Sequence, residues 1–85
     1  MRAIVTLTVS GRINPIFSGY RPLFRIDSFQ SDCYITNFVK INPDESSNVN
    51  IEVLLPDKFK NLKNGDIFIL AEGRKKVADG IIIEI

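Results

Sequence analysis

Two kinds of side chain in this sequence could do chemistry. One is the single thiol, Cys33; the other is the carboxylates that fall near one another, Asp27 with Asp32 and Asp44 with Glu45. A thiolate attacks once a base has taken its proton, and two acids in unlike surroundings can serve as general acid and general base. The rest of the chain gives neither much support. It holds no histidine, so serine and cysteine nucleophiles lack their usual base and no imidazole is available to a metal. Cys33 stands between Asp32 and Tyr34 at the head of an apolar run and reads as a small residue in a strand. The acids lie in segments that read as turns, where carboxylates usually cap backbone donors.

A phosphate-binding loop of the form G-x-x-x-x-G-K-[ST] is absent. Arg74 follows Gly73 but leads into Lys75 and Lys76 without the hydroxyl that would hold magnesium. The chain therefore reads as non-catalytic, with no nucleotide, cofactor or metal expected. Binding chemistry is easier to find. Residues 58–76 hold Lys58, Lys60, Lys63, Arg74, Lys75 and Lys76 against Asp66 and Glu72, a local excess of four positive charges. Such a run is a solvated face or a surface that attracts phosphate. The whole chain selects no partner by charge, since 11 basic and 10 acidic residues leave a net charge of +1.

The elements that would position these residues are short strands. Ala3, Val5, Leu7 and Val9 alternate with Ile4, Thr6 and Thr8, and Val49, Ile51, Val53 and Leu55 alternate with Asn50 and Glu52 before Pro56 ends the run. Apolar runs at 23–26, 34–41, 67–70 and 80–85 are bounded by Asp, Asn, Gly or Pro and have strand length. Asn64-Gly65 marks a turn, and 42–48 reads as an exposed loop. Phe59 and Leu62 could share one helical turn, but nothing sustains the 3.6-residue period of a long helix. Six strands in 85 residues make one all-β domain over residues 1–85, a small antiparallel sandwich or barrel. Hydrophobic residues at 45% and charged residues at 25% are those of a soluble globular chain. One cysteine, no signal-peptide pattern and no apolar run of membrane-spanning length give the expectation of a cytoplasmic protein. Met1 directly before a strand adds the expectation of a complete small protein.

Two motifs narrow the choice. Asn14-Pro15-Ile16-Phe17-Ser18-Gly19-Tyr20-Arg21-Pro22-Leu23-Phe24 is followed some fifty residues later by Glu72-Gly73-Arg74 and by Val77-Ala78-Asp79-Gly80-Ile81-Ile82. Over residues 12–25 and 49–85 the chain resembles the third, C-terminal β-barrel domain of translation elongation factor Tu, whose members carry a run close to P-x-F-x-G-Y-R-P-x-F. The resemblance implies a six-stranded antiparallel Greek-key barrel. The family's GTP-hydrolysing domain and second barrel have no counterpart in these 85 residues.

The resemblance also bears on function. In the family an E-G-G-R-T loop lies beside the T stem of aminoacyl-tRNA. Glu72 and Gly73 fall on its first two positions, while Arg74 replaces the second glycine and Lys75 takes the place of the arginine. The threonine-rich segment T-T-D-V-T-G is replaced by residues 26–32. In the first motif Pro15 and Pro22 fix the backbone at both ends of a bend, Gly19 permits a conformation closed to other residues, and Phe17, Tyr20 and Phe24 are candidate aromatic anchors. The leading expectation is a protein–protein interaction module with an unidentified protein partner. The alternative is an RNA-binding (tRNA-like) module that uses the basic hairpin, with Tyr20 or Phe29 stacking on a base. Candidate contact residues for either partner are Tyr20, Arg21, Glu72, Gly73, Arg74, Lys75 and Lys76.

Overall fold

Alternation of apolar and polar residues is what this chain builds with, and in the computed structural model, which describes residues 1–54 and 61–85, it produces eight strands. They are β1 (Arg2–Leu7), β2 (Ile16–Phe17), β3 (Leu23–Ile26), β4 (Phe29–Thr36), β5 (Lys40–Ile41), β6 (Ser46–Val53), β7 (Ile67–Glu72) and β8 (Lys75–Glu84). Six of them close into an antiparallel barrel in the order β1-β6-β4-β3-β7-β8, with β1 and β8 paired to complete the ring. Consecutive barrel strands β3, β4 and β6 lie side by side and β1 lies beside β6, which is a Greek key. Closure leaves none of these six with an unpaired edge. The remaining two strands, β2 and β5, form a small separate ribbon.

The inward positions fill the barrel. Ala3, Val5 and Leu7 of β1, Cys33 and Ile35 of β4, Val49 and Ile51 of β6, and Phe68 and Leu70 of β7 are all buried. Phe24 stacks on Phe68 with ring centroids 4.6 Å apart, a contact worth about 1 kcal/mol beyond the area it removes from water. β8 breaks the alternation, with Val77 and Ala78 both buried. Its register against β7 shifts between Leu70 and Ala71, so an extra β8 residue enters there as a bulge, and both neighbours can face inward. Cys33 lies in the core and its thiol donates weakly to the Pro22 carbonyl at 3.5 Å. Burial pushes that thiol up to about 12, so it is neutral and inert at ordinary pH.

Several boundaries differ from those read in the sequence. The apolar run 34–41 is not one strand. Asn37 takes φ 67 and ends β4 at Thr36, and Lys40–Ile41 leaves to pair with β2; β4 itself begins earlier than the apolar run, at Phe29. Phe29, Gln30, Ser31 and Asp32 are therefore strand residues, and the turn after β3 shrinks to Asp27-Ser28, with Asp27 at φ 53. Ser46–Asn48 belong to β6, held to β1 by backbone pairing and by the Thr6 and Ser46 hydroxyls at 2.6 Å. The loop before it is only 42–45, where the Glu45 carboxylate accepts the Asn42 amide at 2.8 Å, a capping role. Among the aromatic anchors, Phe24 is core and Tyr20 is half-buried, whereas Phe17 projects outward and is 57% exposed. Leu62 packs against the core; Leu55, Pro56, Lys58, Phe59 and Lys60 lie outside the described residues.

Candidate functional site

The two sequence motifs meet at one end of the barrel. After β1 the chain turns at Thr8, whose hydroxyl donates to the Val77 carbonyl at 3.1 Å and accepts the Gly11 amide at 3.1 Å. Gly11 then passes so near β8 that a β-carbon there would lie 2.5 Å from the Lys76 carbonyl oxygen and 2.6 Å from the Val77 α-carbon. Only glycine fits between two backbones at that distance. The chain next forms β2 and runs beside β4, with the Gly19 amide donating to the Ile35 carbonyl at 2.8 Å and the Ile35 amide to the Tyr20 carbonyl at 2.9 Å. This path brings Arg12 and Tyr20 over the end of β7.

There both side chains donate to one carboxylate oxygen: Arg12 Nη1 and the Tyr20 hydroxyl each bond Glu72 Oε2. The Arg12 guanidinium also lies 5.4 Å from the centre of the Tyr20 ring. The Tyr20 hydroxyl holds Glu72 below the usual carboxylate range, with Arg12 adding to the effect. Tyr20 itself is pushed well above the ordinary phenol range, first by burial and then by donating to Glu72. The trio is a latch between the 8–22 segment and the end of β7, 52 to 60 residues apart in the chain.

The β7–β8 turn consists of Gly73 and Arg74 alone. Gly73 has φ 62 while Arg74 does not take positive φ, which fits a two-residue turn needing glycine first. The space around the Gly73 α-carbon is open. Behind the turn Arg25 donates to the Gly73 carbonyl at 2.5 Å and to Gln30 at 2.7 Å. Lys76 pairs with Asp79 at 2.9 Å. Arg74 and Lys75 are exposed, and among the described residues neither has a salt-bridge partner. A shallow groove of about 280 Å³ lies between the 10–14 segment and the Glu72 and Lys75 side chains.

The structure thus joins Tyr20, Glu72, Gly73, Arg74, Lys75 and Lys76 at one rim. Arg21 is apart from the latch, its guanidinium lying 4.4 Å from the centre of the Tyr34 ring. Tyr20 is held by Glu72 and half-covered, so its ring is not the open stacking platform expected for a base; Phe29 is half-exposed in β4. Within the basic run, the described Lys63 and the 74–76 group do not share one patch. Lys63 precedes β7 and Arg74 follows it, and six strand residues separate the two by roughly 20 Å. Arg12 and Arg25 went unread in the sequence, because the contacts that place them at this rim, to Glu72 and to the Gly73 carbonyl, join segments about 50 to 60 residues apart. Among the described residues no three of Cys, Asp or Glu gather as a metal site would require.

A second surface emerges on the outside of the barrel. Ile4 of β1 pairs with Ile81 of β8, and Ile81 pairs with Ile67 of β7. The three stand in one row across adjacent strands with exposures of 37%, 39% and 70%. A signal for this row existed: 80–85 is apolar at consecutive positions, and a strand with that pattern puts isoleucine on both faces.

No protein-family model matches the chain, and no curated protein matches it. No helix among the described residues is long and apolar enough to cross a membrane.

Proposed function

We propose that this barrel is a non-catalytic protein-interaction module of the cytoplasm, related in design to the third domain of elongation factor Tu and working in a translation-related setting. The observation that carries the interaction reading is the isoleucine row Ile4–Ile81–Ile67. Single exposed apolar residues are ordinary, but large apolar side chains lined up across three strands form a patch of the kind that partners cover. The thiol is buried and raised, and the Glu72 carboxylate is taken up by two donors, so neither offers a free reactive group.

A second reading, RNA binding at the rim, is favoured by Arg74 and Lys75 at the exposed turn with Arg12 and Arg25 behind them. Phosphate contacts of this kind weaken steeply with salt, whereas an apolar contact tolerates it. The test is capture from native lysate with the tagged protein at low and high salt, with protein and RNA both identified. A salt-resistant protein lost from Ile81→Lys supports the interaction reading. RNA held only at low salt and lost from Arg74→Glu with Lys75→Glu, with no retained protein, overturns it in favour of the rim.

A further inference from the structure

We infer that the isoleucine row is a contact surface for a second copy of this chain, which closes over it face to face as a weak two-fold dimer. The inference rests on the interaction reading above and names the partner. Geometry restricts the contact first. β1 is paired with β6 and β8, β8 with β7 and β1, and β7 with β3 and β8, so a partner cannot add a strand to this wall and must pack on its outer face. Residues opposite one another on neighbouring strands have their β-carbons about 5 Å apart, so Ile4, Ile81 and Ile67 form one continuous ridge. Ile69 and Ile83, both half-buried, extend the apolar surface on β7 and β8.

An isologous contact needs a patch complementary to itself. A row of three like side chains meets that need whether the two-fold axis runs along it or across it. The charges around it agree. Lys76 pairs with Asp79 toward one end of the wall, and Arg2 pairs with Glu84 toward the other, at 3.2 Å. Each pair sums to zero, so the wall does not repel a copy of itself and presents both signs at either end. The rim is different, since Arg12, Arg25, Arg74 and Lys75 outnumber Glu72 there and would repel their own image. Size sets the strength. A standard interface covers roughly 800 Å² on each partner, about 15% of the 5186 Å² surface of this protein. The largest side of a body with extents of 32 × 24 × 20 Å is about that size and the row covers only part of it, so the contact falls at the small end of the range and the dimer dissociates readily.

Sedimentation of the purified full chain over a micromolar to millimolar series tests this. The expected result is a mass rising from one chain to two, little changed by salt. In Ile81→Lys the midpoint should move to about tenfold higher concentration or beyond, because an ammonium would be buried without a partner. Ile67→Lys, at the most exposed position of the row, gives the same test if Ile81→Lys does not fold. A single chain at every concentration overturns the inference, and so does a dimer undiminished in both variants. A monomer that captures a different protein through Ile81 would end the second-copy inference and leave the interaction reading standing. A monomer that captures no protein through Ile81 or Ile67 would end both.

Discussion

The rim and the isoleucine wall are built in opposite ways. At the rim, the 8–22 segment, the β7–β8 turn and the strand ends beside them carry polar groups that largely satisfy one another: Arg12 and Tyr20 on Glu72, Arg25 on the Gly73 carbonyl. On the wall, regular strands hold Ile4, Ile81 and Ile67 outward with their backbones fully laddered. The rim is where motif residues gather, yet much of its polarity is consumed in holding the 8–22 segment to the end of β7. The wall takes only Ile81 from a motif, and its apolar surface is left to water. Motif residues therefore mark what shapes the barrel end, while unsatisfied surface marks where a partner gains most.

Breaking the rim at its backbone should have the largest effect. Gly11→Ala places a methyl 2.5 Å from the Lys76 carbonyl oxygen, and backbone cannot move aside as a side chain can. Denaturant unfolding should show a loss of about 3 kcal/mol, at the upper end of overpacking penalties. A loss below half a kcal/mol would mean that the 8–22 segment is not clamped to β8 as described.

Removing the latch acceptor comes next. Glu72→Ala leaves Arg12 and the half-buried Tyr20 hydroxyl without their shared partner, and should cost about 1–2 kcal/mol, with Tyr20→Phe costing about 1. A double-mutant cycle should find the two effects coupled. Independent losses would show that the latch does not act as a unit.

The pH profile sharpens the same contrast, because the wall row holds no titrating group. Glu72 has a folded value below its unfolded one, so its stabilisation is full above roughly pH 4.3 and is lost as pH falls through the folded value. Tyr20 is shifted the other way, so its share is full below roughly pH 10 and declines as pH rises beyond that. Unfolding measured against pH should show both shoulders reduced in Glu72→Ala. An unchanged acid shoulder would assign it to other groups, whereas the alkaline one is kept in part by the burial of Tyr20.

The smallest effect on stability is expected on the wall. Ile67→Lys should lie within about 0.5 kcal/mol of the parent in unfolding experiments, since the position is outward and 70% exposed. A large loss there would mean that the isoleucines hold the monomer together, and the contrast between rim and wall would fail.

The sequence itself determined the class of fold. Period-two alternation in 3–9 and 49–55, turn residues at regular intervals and the lack of a sustained helical period leave little but a small all-β domain, because strands expose alternate faces and a chain this short must bury one of them together. It also marked the Gly73 turn, since few residues but glycine accept that φ at low cost. Strand limits were less legible: polar Gln30, Asp32 and Ser46 look like loop but are strand, because the outward half of a barrel strand need not be apolar. Only the tertiary structure decided which distant residues meet. Arg12, Tyr20 and Glu72 become partners through the path of the 8–22 segment, and Ile4, Ile81 and Ile67 become a row through strand register and closure. Register depends on pairing between strands far apart in the chain, and no local pattern of residues encodes which strand will lie alongside.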